Sequence, residues 1–209
     1  MGDSRERTRS SKGRAAAFVF LFLIIGSLMG IVSKYLDTTA VNDLPALLQR
    51  WDVTNFLGRP AVWIFLAVVI ACFSGSPFRA AWYVPAFLLG MVGSYYLYSR
   101  FVAGFFPRQY AMIWFGLTLI SPLLAFLCWY AGGKSPLSLI LTAAVWAVMF
   151  DLTFVYGVFY LDLVSPLEAI LFAATLLLLR KSGRALLLTL LLAAAIALVL
   201  HLLHVPFLF

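Results

Sequence analysis

From Ala15 to Val32 the chain runs for 18 residues without a charge, and apolar stretches of comparable length recur almost to its end. A helix of that length rises about 27 Å at about 1.5 Å per residue, close to the roughly 30 Å hydrocarbon core of a bilayer. Such runs read as transmembrane helices. Composition agrees: 64% of the residues are hydrophobic and 11% charged, whereas soluble domains average about 45–50% and about 25%. Disorder and low complexity are excluded by the same apolar content and by 16% aromatic residues. The expected fold is an all-α polytopic bundle, with residues 1–14 a basic tail and 15–209 one transmembrane domain.

The runs place spans at about 15–32, 60–74, 78–98, 110–131, 136–161, 166–179 and 185–203. That makes seven, or six if 60–74 re-enters without crossing. A basic tail before an apolar run also fits a signal peptide. No A-x-A-like cleavage site follows, however, and Gly26-x-x-x-Gly30 suits helix packing, so the segment reads as a retained span. With the N-terminus cytoplasmic, the inner segments hold Arg5, Arg7, Arg9, Lys12, Arg14, Arg79, Lys134, Arg180, Lys181 and Arg184. The outer segments then hold Lys34, Arg50, Arg59, Arg100 and Arg108. This asymmetry satisfies the positive-inside rule, and it puts the C-terminus outside a bacterial-type plasma membrane. The net charge of +7 is thereby accounted for by topology, which removes the case for nucleic acid as a partner. The bilayer is the expected partner, with a small solute as a candidate ligand.

The connection 34–58 carries Leu44, Leu47, Leu48 and Trp51 at i, i+3, i+4 and i+7. The spacing predicts an amphipathic helix capped by Asp43, lying on the outer surface as an anchor or, in the sharper reading, as a lid. Ser-Pro pairs at Ser76, Ser135 and Ser165 read as helix starts. Ser121-Pro122 falls inside a span instead, as does Pro85, and both prolines are expected to break their helices, Pro122 freeing the Thr118 carbonyl.

Several chemical signatures fail on inspection. Gly133-Lys134-Ser135 resembles the end of a phosphate-binding loop, but Cys128 stands where that motif needs glycine. Ser74-Gly75-Ser76 lacks the nucleophile-elbow pattern and a nearby histidine. His201 and His204 share a helical face at i, i+3 but have no local carboxylate, which is weak for a metal. Cys72 and Cys128 both sit in apolar runs, an arrangement that offers no disulfide framework and no metal pair. No catalytic residue, metal or cofactor is therefore expected. Glu168 reads first as the far end of a capping box with Ser165, reaching back to its N–H. Tyr95, Tyr96, Tyr98, Phe105 and Phe106 read as an interfacial aromatic belt or, alternatively, the wall of a binding cavity.

Asp151 has the strongest claim to function, because long apolar stretches flank it on both sides. An ionisable group at that depth is expensive and faces a partner or a watery cavity. Lys34 and Arg100, with Arg108 behind them, are cations at the same face, and Tyr95, Tyr96 and Tyr156 could donate hydrogen bonds. The alternatives are an ion pair that merely clasps helices, or a headgroup-level position.

Ser33-Lys34-Tyr35-Leu36-Asp37, Phe106-Pro107-Arg108-Gln109-Tyr110 with Trp114, Ser121-Pro122-Leu123-Leu124-Ala125, Trp129-Tyr130-Ala131 with Gly133, and Phe159-Tyr160 together resemble a family of small bacterial multi-pass membrane proteins without an assigned activity. The resemblance covers roughly residues 25–165 and implies no catalytic residues. In size and span number the chain is also similar to the substrate-binding subunits of energy-coupling-factor uptake systems. Those have an alanine-spaced docking motif on the first helix, of which Ala15-Ala16-Ala17 is a fragment. The function expected from Pro85, Pro122, Gly90, Gly93 and Asp151 is binding or translocation of a small solute. A non-transporting scaffold or regulatory subunit is the alternative, and an intramembrane enzyme a third.

Overall fold

The computed structural model describes residues 2–157 and 159–203, with side chains from Gly13 onward. It is an all-α bundle. Helices α1 (Gly2–Thr38), α2 (Ala46–Arg50), α3 (Val53–Gly58), α4 (Pro60–Phe73), α5 (Pro77–Phe101), α6 (Arg108–Ala131) and α7 (Pro136–Thr153) are followed by a short hairpin, β1 (Phe154–Tyr156) and β2 (Leu161–Leu163). Helices α8 (Pro166–Leu178) and α9 (Gly183–Leu202) complete it. Among the described residues, five helices are long and apolar enough to cross a membrane: Gly13–Thr38 of α1, α5, α6, α7 and α9. Their outward-facing leucines and phenylalanines, such as Phe20, Leu119 and Leu191, are exposed. The chain is a membrane protein.

Two faces organise the bundle. The turn face gathers the ends of α4 and α6, the start of α7 and the α8–α9 link, as the Trp129 Nε1 to Ser74 carbonyl bond at 2.7 Å and the Lys181 contacts described below show. The loop face gathers the ends of α1 and α7 and the starts of α4 and α8. Helices α4 and α8 have 14 and 13 residues, a rise of only about 20 Å each. Because α4 ends beside the 24-residue α6, its start lies deeper than that of α6. The 39–59 segment fills the recess.

Ser76, Ser135 and Ser165 each accept a hydrogen bond from a first-turn amide, at 3.2 Å in every case, and the following proline opens α5, α7 and α8. Helix α1 packs parallel to α5 at close range. Any Cβ on Gly26 or Gly30 would overlap the Phe87 or Met91 backbone, and one on Gly90 would overlap the Leu23 carbonyl. Ser94 Oγ donates across this seam to the Ser27 carbonyl at 2.8 Å. Gly90 thus serves a helix contact, not a cavity.

Several boundaries differ from the sequence reading. The first span continues past Val32 to Thr38, because Lys34 and Asp37, one turn apart, neutralise each other at 2.5 Å. The fifth ends at Thr153 instead of 161. Phe154-Val155-Tyr156 is β-branched and aromatic and pairs with Leu161–Leu163 in register Phe154–Leu163, Val155–Asp162, Tyr156–Leu161. Apolarity alone does not separate strand from helix in such a run. The single amphipathic helix of 44–51 does not form. Pro45 holds Leu44 extended, Asp43 closes a short 3-10 turn, and Asp52 takes a left-handed φ of 50° that splits α2 from α3. Leu44 is buried, while Leu47 is 68% exposed, so the stripe is not one face.

Neither internal proline ends its helix. At Pro122 the Thr118 carbonyl, denied an amide donor, accepts the Ser121 hydroxyl at 2.7 Å.

Candidate functional site

The residues singled out around Asp151 separate into two clusters. Asp151, on the last turns of α7, is 3% exposed. Its Oδ1 accepts the Tyr156 hydroxyl at 2.7 Å, delivered from β1 just beyond the helix end. The Tyr156 ring stacks on His201 of α9 with centroids 4.5 Å apart, and the Tyr156 oxygen lies 3.1 Å from the Ala197 carbonyl. Burial first, then the hydrogen bond to Asp151, pushes the Tyr156 hydroxyl's pKa upward, so it remains a donor. Asp151 Oδ2 has no hydrogen-bond partner among the described residues. The arrangement leaves an acceptor open on a buried carboxyl whose other oxygen is held by Tyr156.

Lys34 is not part of this cluster. It is 2% exposed near the end of α1, with Nζ 2.5 Å from Asp37 Oδ2, 4.4 Å from the Phe105 ring centre and 5.0 Å from that of Tyr95. The Tyr95 hydroxyl donates to the same Asp37 oxygen at 3.3 Å. A buried ammonium so provided, with a carboxylate and two ring faces, is internally satisfied. The sequence reading did not pair Asp37 with Lys34, although their i, i+3 spacing was the available signal. Arg100 and Arg108 reach neither cluster; both are exposed at helix ends.

Beside Lys34 lies a cleft between α1, α4, α5 and α6, lined by Ser33, Trp63, Tyr95, Tyr96, Tyr110 and Trp114, with Leu57 and Gly58 from the end of α3. The Leu57 carbonyl accepts both Trp63 Nε1 at 2.9 Å and Ser33 Oγ at 3.2 Å, which seats the 39–59 segment over the cleft. Its innermost space, about 20 Å³, has room for about one water. Tyr96, 3% exposed and wedged by Tyr95 and Phe106 with edge-on rings 5.1 and 5.7 Å away, has a hydroxyl without a hydrogen-bond partner among the described residues. The belt tyrosines Tyr95 and Tyr96 therefore wall a cleft.

Glu168 also departs from expectation. Its side chain is fully buried and accepts Arg59 Nη1 at 2.8 Å and the Ser165 hydroxyl, so it does not cap the Ser165 amide. Arg59 extends its other nitrogen 2.9 Å to Asp52, tying the loop segment to α8. At the turn face Lys181 Nζ donates to the carbonyls of Ala131 and Gly133, both at 2.9 Å, and to Ser138 Oγ at 2.5 Å. This cation sits on the negative end of α6, where the last carbonyls lack amide partners. Burial pushes the pKa of its ammonium below the usual lysine range. Among the described residues no three His, Cys, Asp or Glu side chains gather as a metal site, and His204 lies outside those residues. Cys72 and Cys128, distant in sequence, pack against the same apolar cluster around Ala131 and Trp146.

No known protein family, curated protein or solved structure matches the chain.

Proposed function

We propose that the protein binds a small solute from the loop face, in the aromatic cleft between α1, α4, α5 and α6. The observation that carries this reading is the Tyr96 hydroxyl, which is buried and unpartnered on a wall shared with Trp63, Tyr110 and Trp114. Aromatic walls with a few convergent polar groups are the usual make-up of a ligand site. A solute that stacks on the indoles and takes the Tyr96 hydrogen bond would displace the water for which the cleft has room, and the 39–59 segment would move to admit it. Translocation is the finer reading. The vacant Asp151 Oδ2, at membrane depth, is its support, as a place for a proton or a donor group in transit. The proposed setting is a plasma membrane with the N-terminus inside, argued from the basic turn face.

A specific observation favours the scaffold alternative. The α1–α5 glycine seam is closed, and the cleft in this conformation is smaller than a solute.

The test is a thermal-shift screen of detergent-purified protein against metabolites and lipid headgroups, with Trp emission read in parallel. A ligand of the native state raises Tm by mass action. The expected hits quench Trp63 or Trp114, and Tyr96→Phe weakens them about tenfold, a loss near 1.4 kcal/mol. A screen without stabilising compounds, or hits indifferent to Tyr96→Phe and Trp114→Phe, would decide for the scaffold.

A further inference from the structure

The walls of the aromatic cleft restrict the charge of any solute they hold. None of the residues that line it carries a formal charge, and half of them are aromatic: Trp63, Tyr95, Tyr96, Tyr110 and Trp114. Several of the donors on the wall are already spent inside the fold. Trp63 Nε1 and Ser33 Oγ both donate to the Leu57 carbonyl, at 2.9 and 3.2 Å, and the Tyr95 hydroxyl donates to Asp37 at 3.3 Å. The nearby cations are spent as well. Lys34 is paired with Asp37, and Arg59 with Asp52 and Glu168. Arg108 stands exposed at the start of α6, where water and salt screen it. An anion entering the cleft would lose its hydration and find no charge on the wall to answer it. A cation is received differently, because the face of an aromatic ring is negative and attracts it without a carboxylate. The chain already seats an ammonium in this way on one of the same rings: Lys34 Nζ lies 5.0 Å from the centre of Tyr95.

We propose, resting on the cleft as the binding site, that its solute is an organic cation with an N-methylated ammonium group, held by the aromatic wall and oriented by Tyr96. A bare ammonium is strongly hydrated, and moving it against aromatic rings forfeits that hydration. Methyl groups spread the charge over an apolar surface that packs on the rings as a hydrocarbon does. The Tyr96 hydroxyl, 3% exposed with its residue and without a hydrogen-bond partner among the described residues, then takes a hydroxyl or N–H carried close to the ammonium centre. Two sources present this chemistry, a free solute and the choline headgroup of a lipid.

The probe is choline, titrated by Trp emission and thermal shift into the full chain purified in a maltoside, a detergent without an ammonium group. Its neutral isostere 3,3-dimethyl-1-butanol has carbon in place of the nitrogen, and 3,3-dimethylbutanoate carries the opposite charge on the same bulk. Choline is expected to bind at least about tenfold tighter than the alcohol, and the butanoate not detectably. Tyr96→Phe should weaken choline and the alcohol alike, since both carry the hydroxyl. Tyr110→Leu, which removes a ring that is 47% exposed, should lower the ratio of choline to alcohol affinity. Alcohol or butanoate bound as tightly as choline, with Tyr96→Phe still weakening them, would overturn the ammonium class and leave the cleft as a binding site. Choline without effect while other compounds give Tyr96-dependent shifts would do the same. No Tyr96-dependent ligand of any kind would overturn the site itself. The affinity ratio is taken on the wild-type protein, so it stands even if a variant fails to fold. Nanodiscs separate the two sources. Equal choline affinity in phosphatidylcholine and in an uncharged galactolipid supports a free solute, choline binding lost only in phosphatidylcholine supports the headgroup, and choline binding in neither overturns the proposal.

Discussion

Arg59 joins two carboxylates of unequal burial. Glu168 is fully enclosed, whereas the Asp52 side chain is 49% exposed. An ion pair with one end sealed from water is worth little against an apolar replacement, but removing one partner strands a buried charge. Arg59→Ala is therefore expected to cost about 3 kcal/mol, read as a drop in Tm in detergent, while Asp52→Asn costs less than about 1 kcal/mol. Adding Glu168→Gln to Arg59→Ala should restore most of the loss, because the stranded carboxylate is gone. An Arg59→Ala protein as stable as wild type would show that the buried carboxylate is not charged in the native state. The same logic separates the Lys34 cluster from Asp151. In the first, Lys34 Nζ is met locally by Asp37 and by the rings of Tyr95 and Phe105, and the second retains an open acceptor.

Among the elements, the α1–α5 seam depends most directly on individual residues. Two membrane helices gain nothing from hydrophobicity alone, since lipid is equally apolar, and close backbone approach supplies the attraction. Gly26 and Gly90 meet the partner backbone within any Cβ's radius, and backbone cannot step aside as a flexible side chain can. Gly26→Leu is expected to destabilise the bundle by about 1–3 kcal/mol and to loosen α1 from α5. Gly93→Ala is the control, because nothing stands within 4 Å of its Cβ position. Equal Tm losses for both would contradict the seam. Gly26-x-x-x-Gly30 was legible as a packing motif in the sequence. That Gly90 faced it was not, since one glycine in α5 carries no record of its partner.

For the molecule as a whole, orientation is the property on which every assignment of loops to sides depends. In a background with Cys72 and Cys128 replaced by alanine, a cysteine at Asn55 should react with an impermeant maleimide added outside intact cells, and one at Ser182 should not. Both positions are exposed, on the loop and turn faces respectively. The reverse pattern would invert the proposed topology and put the cleft in the cytoplasm. The short α4 and α8 make the loop face uneven: their recessed starts leave space that 39–59 occupies. The aromatic cleft exists because of that mismatch in helix length.

The sequence by itself determined the membrane class, the helical fold and the helix starts at Ser76, Ser135 and Ser165. All of these follow from local rules: charge-free runs long enough for a bilayer, and a serine–proline pair that satisfies first-turn amides. Local rules also drew attention to Asp151, Lys34 and the tyrosines. Only the tertiary structure decided which of them meet. Lys34 lies within a turn of Asp37 and across from Tyr95, while Asp151 turns to Tyr156 and α9. Arg59 with Glu168 is likewise a pairing across helices. The physical reason is that a buried charge fixes only its need for a partner. Which partner arrives depends on the rotation, depth and length of helices distant in the chain, and at Thr153 on a strand pairing that apolar content did not reveal.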